Sequence, residues 1–151
     1  MYEGGLKVPT CAVWPDKIKA GTSSNLVGIT MDLYPTACAA AGARVPDYVE
    51  GKSILPTMLG EPQSFDRDLV FVRREGGLRY NGQDYHAFLR GNWKLVHNSP
   101  FEPYELYDLK TDPMEKNNLS ETKRKTFTEL AAALRRHYQR AGRIPWQKPA
   151  K

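Results

Sequence analysis

The residues best suited to bind a ligand form a short arginine-rich segment, residues 73–82. It combines three arginines, a tyrosine and a flexible turn: Arg73, Arg74, Arg79, Tyr80 and Asn81-Gly82. The planar guanidinium fork matches the oxygens of a sulfate or carboxylate, so two parallel hydrogen bonds can form. Tyr80 or Tyr85 could stack on a sugar ring. His86, just beyond the segment, could donate to an anion or contact a hydroxyl. We predict ligand contacts at Arg73, Arg74, Arg79, Tyr80 and His86, although a solvated hairpin with ordinary positive charges explains the same residues equally well.

The cysteines and the remaining histidines add no further site. Cys11 and Cys38 lie among small apolar residues, which favours buried free thiols over a disulfide. Neither a C-x-x-C pair nor a Cys/His cluster has the spacing of zinc ligands. We interpret His97 and His137 as core or surface residues.

The arginine-rich segment has to be positioned by a small antiparallel sheet. Period-two alternation predicts four strands, at residues 69–73, 85–90, 93–98 and 105–109. Asn81-Gly82 predicts the first hairpin, because both positions tolerate positive φ. Residues 120–141 have helical periodicity, and this helix should cover one face of the sheet. In the third strand Trp93 and Lys94 alternate, and we expect the lysine to extend to solvent.

The first sixty residues follow a different pattern. The apolar run at residues 6–14 predicts a strand that is buried on both faces, as in an α/β sheet. Asp32 can cap a short helix that ends at Gly42, and Ser53 can cap another of one or two turns. The predicted fold class is therefore an α/β fragment in residues 1–62, with a remnant strand and helix, followed by an α+β unit in residues 63–151.

Composition favours a folded chain with a basic surface. Of 151 residues, 40% are hydrophobic, and 22 Lys and Arg outnumber 17 Asp and Glu, which gives a formal charge of +5. A basic surface attracts anions such as nucleic acid or sulfated polysaccharide. Because no RRM, KH, helix-turn-helix or zinc-finger signature is present, we do not predict a nucleic-acid partner. The sequence lacks an apolar run of about 18 residues, so we do not predict a membrane span either.

Three motifs, in this order along the chain, resemble one enzyme family. They are Glu3-Gly4-Gly5-Leu6-Lys7-Val8-Pro9, then Asp32-Leu33-Tyr34-Pro35-Thr36 with Ala41-Gly42, and finally Gly91-Asn92-Trp93-Lys94-Leu95-Val96 with Glu105-Leu106-Tyr107-Asp108-Leu109, Asp112-Pro113, Glu115 and Asn118-Leu119. Together they cover nearly the whole chain. The pattern resembles the C-terminal part of type I, formylglycine-dependent sulfatases, in the alkaline-phosphatase-like superfamily.

The resemblance implies a fold, a reaction and cofactors. Residues 1–62 would be the C-terminal portion of the large α/β sulfatase domain, and residues 63–151 the small antiparallel subdomain with its terminal helix. The family hydrolyses sulfate esters with a formylglycine made from a cysteine or serine in a C-x-P/A-x-R motif, and with calcium bound by Asp and Asn side chains. Loops of the C-terminal subdomain help to select the sulfated substrate, which is the role expected of the arginine-rich segment.

The chemical machinery of the family is missing from this sequence. Cys11 is followed by Ala-Val-Trp-Pro and Cys38 by Ala-Ala-Ala-Gly, so neither lies in the formylglycine motif. We assign no catalytic and no metal-binding residue, expect calcium and formylglycine only in a full-length parent, and predict that this chain alone is inactive. The resemblance implies an exported parent that acts on a sulfated small molecule or carbohydrate.

Two other classes of function remain open. The chain could be a stand-alone anion- or glycan-binding module that uses the arginine-rich segment without catalysis. It could instead be a noncatalytic interaction domain that completes another chain's sheet, or self-associates, through the apolar residues 6–14. A phosphonate-ester or phosphodiester hydrolase of the same superfamily would share these C-terminal features.

Overall fold

The computed structural model describes residues 1–74, 84–99 and 101–141. The chain divides into two compact units. One, the sheet unit, comprises Met1–Val8 together with Asp66–Lys151, and the other is Pro9–Phe65.

The sheet unit is built on a four-stranded antiparallel sheet in the order β1-β2-β3-β4. The strands are β1 (Asp68–Arg74), β2 (Asp84–Arg90), β3 (Trp93–His97) and β4 (Glu105–Asp108). Between β2 and β3 the chain turns at Gly91 and Asn92, and glycine suits the first of these positions because its φ is +56°. The predicted sheet is confirmed. The predicted hairpin at Asn81-Gly82 lies outside the described residues.

Helix α4, which is the fourth helix in chain order (Arg124–Ala141), covers one face of the sheet, here called the inner face. Phe88, Leu95 and Leu106 point to this face and pack against Leu130 and Leu134 of the helix. These five side chains are almost fully buried, and their burial supplies the main hydrophobic stabilisation of the unit.

The predicted covering helix is confirmed, but it begins later in the chain than predicted. Helix α4 begins at Arg124, whereas the sequence predicted residue 120. The preceding residues form turns, in which the Ser120 amide donates to Oδ1 of Asn118 at 3.0 Å and the Lys123 amide donates to the Leu119 carbonyl at 2.8 Å. These turns satisfy backbone groups that a longer helix would have to pair.

The opposite face of the sheet, here called the outer face, carries Lys94 and Tyr107 and receives the short helix α1 (Glu3–Leu6). The Tyr2 and Tyr107 rings meet edge to face with centroids 6.3 Å apart. Tyr2 also donates its hydroxyl proton to Oε2 of Glu105 at 2.7 Å. The first residues of the chain therefore pack on the sheet.

The strand predicted at residues 6–14 is wrong. Leu6 ends α1, and residues 7–14 are irregular and exposed. A strand needs a neighbour for its backbone N–H and C=O groups, and no described strand pairs with this run. Cys11 lies in this run, so its thiol is free as predicted but exposed rather than buried, while Cys38 is free and half-buried.

The unit Pro9–Phe65 consists of short helical elements joined by loops. They are a 3₁₀ turn (Thr30–Asp32), α2 (Leu33–Ala40) and α3 (Leu55–Met58). Gly42 follows α2 with φ +66°, which is the conformation of a helix-terminating glycine. Ser53 Oγ accepts from the Leu55 amide at 3.2 Å, at the start of α3. Among the helices formed by described residues, none is both long and apolar enough to span a membrane.

Asp32 organises this second unit, and its role differs from the predicted helix cap. Its side chain is fully buried, with an exposed fraction of 0%. Oδ2 accepts from the Ile29 amide at 2.9 Å, and Oδ1 accepts from the Lys52 amide at 2.8 Å. The carboxylate thus joins two loops instead of capping α2, and two charge-assisted hydrogen bonds offset its desolvation.

Candidate functional site

A group of buried charges lies on the outer face of the sheet. Lys94 is 1% exposed, and its Nζ lies 2.8 Å from Oε1 of Glu3 and 2.7 Å from Oε1 of Glu115. The second oxygen of Glu115, Oε2, accepts from the backbone N–H of Glu3 at 2.6 Å. We call Glu3, Lys94 and Glu115 the ion cluster. The expectation that Lys94 extends to solvent is wrong, because its side chain is buried. The two carboxylates offset the loss of hydration that burial of the ammonium group entails.

Three separate segments supply the three charges. Lys94 belongs to β3, Glu3 opens α1, and Glu115 follows the turn at Asp112-Pro113. This turn is held from inside, because the Glu115 amide donates to the Asp112 carbonyl at 3.2 Å and the Asp112 carboxylate accepts from the Asn117 amide at 2.8 Å. Hydrogen bonds from the backbone N–H groups of Asn117 and Lys116 to the carboxylate lower the pKa of Asp112. The turn thereby directs Glu115 towards Lys94.

Glu115 has an unusual backbone conformation. Its φ is +53°, in the left-handed region that disfavours residues with a Cβ by about 1 kcal/mol. Its side chain is nevertheless only 3% exposed and makes the two contacts described above. The surrounding contacts compensate for this strain.

The residues after Glu115 satisfy the backbone of β4. Asn118 Oδ1 accepts from the Leu106 amide at 3.1 Å, and the Leu119 amide donates to the Leu106 carbonyl at 2.8 Å. Both polar backbone groups of Leu106 are therefore paired although β4 lies at the edge of the sheet. Asn118 and Leu119 in the third motif thus have a structural explanation.

Two tyrosines border the ion cluster. Burial is the main cause that raises the pKa of Tyr107, and the negative charge of Glu105 adds to it. Burial and the hydrogen bond to Glu105 likewise raise the pKa of Tyr2. Both hydroxyls therefore remain protonated near neutral pH and act as hydrogen-bond donors rather than as nucleophiles.

The residues predicted to contact substrate are not all brought together. Arg73 pairs opposite Tyr85, and Val72 pairs opposite His86. Because side chains alternate along a strand, Arg73 and His86 lie on opposite faces of the sheet. Arg73 is exposed. His86 is 6% exposed, and its ring packs edge-on against Tyr138 of α4 with centroids 4.6 Å apart.

The burial of His86 was readable from the sequence. It lies two residues before Phe88 in the same strand, so period two assigns both to the face that α4 covers. His86 therefore packs between sheet and helix. Arg74 is the last residue of β1, and Arg79 and Tyr80 lie outside the described residues.

The chain matches a known protein family. A family model for the C-terminal region of N-sulphoglucosamine sulphohydrolase matches residues 1–142. The chain belongs to this family. The resemblance to sulfatases drawn from three motifs is thereby confirmed, and the ion cluster of Glu3, Lys94 and Glu115 draws its members from the first and third of those motifs.

Individual sulfatases are also similar to the chain. N-acetylglucosamine-6-O-sulfatase of Bacteroides thetaiotaomicron is 28% identical over 123 residues, which are 79% of this chain and 22% of the relative. Arylsulfatase A of Homo sapiens is 34% identical over 137 residues, 78% of this chain and 27% of the relative. The chain thus spans about a quarter of the length of these sulfatases.

Solved structures share the fold. A 2-O GAG sulfatase is 30% identical with a TM-score of 0.60, and the match covers 74% of this chain and 24% of that one. A protein solved in complex with its substrate D-glucosamine-2-N,6-O-disulfate is 25% identical with a TM-score of 0.66, and the match covers 83% of this chain and 27% of that one.

The cofactors that the sulfatase family implies do not fit the side chains described. Within residues 1–74, 84–99 and 101–141, no group of three or more His, Cys, Asp or Glu side chains is placed to hold a metal ion. Cys11 and Cys38 are free thiols outside the formylglycine motif. We therefore derive no reaction step through calcium or formylglycine in this chain.

Proposed function

We propose that the chain is the C-terminal region of a sulfatase that hydrolyses a sulfate ester of a carbohydrate, and that it supports the fold and the substrate cleft without supplying the nucleophile or the metal ligands. The observation that carries the proposal is the family match over residues 1–142. Four residues of the sulfatase-like motifs have structural partners: Glu3, Lys94, Glu115 and Asn118. These contacts are consistent with a supporting role.

The substrate class follows from the similar proteins. One is named for a 6-O-sulfated N-acetylglucosamine, and another was solved with D-glucosamine-2-N,6-O-disulfate as its substrate. A sulfated amino sugar presents anionic groups on a ring, which suits arginine forks and an aromatic face. We therefore propose a sulfated carbohydrate as the substrate of the longer enzyme.

The arginine-rich segment is the part of this chain that we propose for substrate contact. Arg73 is exposed near the end of β1, and Arg74 is the last residue of that strand. Arg79 and Tyr80 follow in the same segment of the sequence. His86 is left out of this role because it is buried against α4. Calcium and formylglycine belong, in this proposal, to the longer gene product.

The gene sequence upstream of the Met1 codon tests the proposal most directly. We expect an open reading frame that continues upstream and encodes a C-x-P/A-x-R motif together with Asp and Asn metal ligands. A stop codon immediately upstream of Met1 would contradict the hydrolase and favour a stand-alone anion- or glycan-binding module.

An activity assay tests the supporting role separately. The purified 151-residue chain should not hydrolyse an aryl sulfate or a 6-O-sulfated glucosamine above the no-protein blank, with or without added calcium. Turnover that co-purifies with the chain through two chromatographic steps would place the reactive groups within it and would refute the supporting role.

Substrate contact is tested in the longer enzyme. Arg73→Ala should raise KM about tenfold with little change in kcat, because a charge-assisted hydrogen bond to a substrate anion contributes roughly 1.5–3 kcal/mol. Arg135→Ala is the matched control, since Arg135 is an exposed arginine on α4. Equal effects of the two variants would indicate general charge attraction and exclude a specific contact at Arg73.

A further inference from the structure

Helix α1 is held on the sheet by few apolar contacts. It has four residues, Glu3–Leu6, of which Gly4 and Gly5 are exposed and Glu3 and Leu6 are half-buried. Isolated helices shorter than about 12 residues are marginal in water, so α1 depends on contacts outside itself. An apolar face that could anchor it is missing from these four residues, since only Leu6 carries a large apolar side chain.

The contacts that α1 does make are polar and lead to the ion cluster. The Glu3 carboxylate pairs with Lys94 Nζ at 2.8 Å, and the Glu3 backbone N–H donates to Glu115 Oε2 at 2.6 Å. Glu115 also pairs with Lys94, at 2.7 Å. The three contacts form a closed ring, so α1 is attached through both its side chain and its backbone.

Two of the three side chains in this ring are buried, which favours the position of α1 that completes the ring. Lys94 is 1% exposed and Glu115 is 3% exposed, so neither can exchange its partner for bulk water without a structural change. Glu3, the first residue of α1, has a side chain that is 22% exposed. The Lys94–Glu115 pair therefore forms the fixed half of the ring, and Glu3 the half that can detach.

A second contact lies beside the ring and could hold the same segment. Tyr2 precedes α1, packs edge-on against Tyr107 and donates to Glu105 at 2.7 Å. This hydrogen bond is exposed to solvent, and exposed polar contacts stabilise little because water competes for both groups. The Met1 ammonium, which donates to Oδ1 of Asn98, is a third contact of this segment. The buried ring is a stronger attachment than the exposed Tyr2 contact.

We propose that the ion cluster is an electrostatic clasp that docks α1 on the outer face of the sheet. Lys94 is a positioning residue that acts through Glu115 and Glu3. It fixes the Glu3–Leu6 turn on the outer face of the sheet. The unusual φ of Glu115 is maintained because it brings that carboxylate to the lysine and to the α1 backbone. This inference concerns the chain itself and does not depend on the proposed reaction.

Amide hydrogen exchange in the 151-residue chain tests the clasp. The reporters for docked α1 are the Gly5 and Lys7 amides, which donate to the Tyr2 carbonyl at 3.0 Å and to the Glu3 carbonyl at 2.8 Å. The Leu95 amide, in the buried centre of β3, reports the sheet. Glu3→Ala leaves the buried Lys94–Glu115 pair intact, so the sheet should stay folded. We expect exchange at the α1 reporters to rise at least about tenfold, while exchange at the Leu95 amide changes less than about twofold.

Glu105→Ala is the matched control, because it removes the carboxylate that Tyr2 contacts and leaves the ring unchanged. It should alter exchange at the α1 reporters less than Glu3→Ala does. The clasp would be refuted if Glu3→Ala left these reporters at the wild-type rate, if it accelerated the Leu95 amide equally, or if Glu105→Ala had the larger effect.

Discussion

Lys94 Nζ and Glu3 Oε1 lie 2.8 Å apart although the two residues are 91 positions apart in the sequence. Lys94 belongs to β3, which pairs with β2 and β4, and its side chain is buried. The carboxylates of Glu3 and Glu115 therefore compensate, in place of water, for the desolvation of its charge. A change that removes the lysine leaves two carboxylates close together in a site built for a cation. We therefore expect the loss of Lys94 to lower the free energy of unfolding more than the loss of either carboxylate.

Lys94→Met should lower the free energy of unfolding by about 3 kcal/mol, because breaking a buried ion pair leaves uncompensated charge. Urea denaturation monitored by far-UV circular dichroism measures this loss. Lys110→Met, at an exposed lysine, is the control and should change stability by less than about 0.5 kcal/mol. A Lys94→Met chain as stable as the control would show that the buried charges contribute little.

Gly51 should not tolerate any side chain. A Cβ built at this position would lie 2.0 Å from the carbonyl oxygen of Met31, and backbone cannot easily move aside. Gly51→Ala should therefore destabilise the unit Pro9–Phe65 by about 3 kcal/mol, at the upper end of ordinary overpacking. Gly28→Ala is the matched control, since its Cβ would meet Asp32 Oδ2 at 3.7 Å, an ordinary contact. Thermal unfolding of both variants tests this prediction, and equal melting temperatures would contradict it.

The sequence was most informative where each element depends on its neighbours in the chain. The three pairings of the sheet each join strands that are consecutive in the sequence, so alternation and turn residues were sufficient. Helix α4 was predicted for a similar reason, because its apolar face repeats with the helical period. Where a residue's partner is distant, the same reasoning failed.

Lys94 shows this limit most clearly. Alternation placed it correctly on the face opposite Leu95, yet the pattern could not indicate that Glu3 and Glu115 would cover it. The apolar run at residues 6–14 shows the converse, because apolar composition alone does not provide a strand with a hydrogen-bonding neighbour. His86 was assigned a ligand role from its residue type, although its period-two relation to Phe88 indicated burial.

Asp32 should be essential for the loops of the unit Pro9–Phe65. Asp32→Ala leaves the Ile29 and Lys52 amides without their acceptor, and hydrogen bonds to charged groups contribute roughly 1.5–3 kcal/mol each. We expect a loss of about 3 kcal/mol in urea denaturation. Asp47→Ala is the control, because Asp47 is 90% exposed and pairs only loosely with Arg44 at 3.5 Å. Similar stabilities of the two variants would exclude a structural role for the buried carboxylate.

Tyr107 should make the folded state sensitive to alkaline pH. Burial first, and the Glu105 charge second, raise its pKa above that of an unfolded tyrosine, which is about 10. Above that pH the unfolded chain releases the proton while the folded chain retains it, so this contribution is complete below pH 10 and falls by up to about 1.4 kcal/mol per pH unit above it. Tyr107→Phe should reduce the slope of stability against pH between about 10 and 11.5, whereas Tyr48→Phe, at an exposed tyrosine, should not. Urea denaturation at successive pH values measures both slopes, and a wild-type slope in Tyr107→Phe would show that the phenol titrates alike in the folded and unfolded chain.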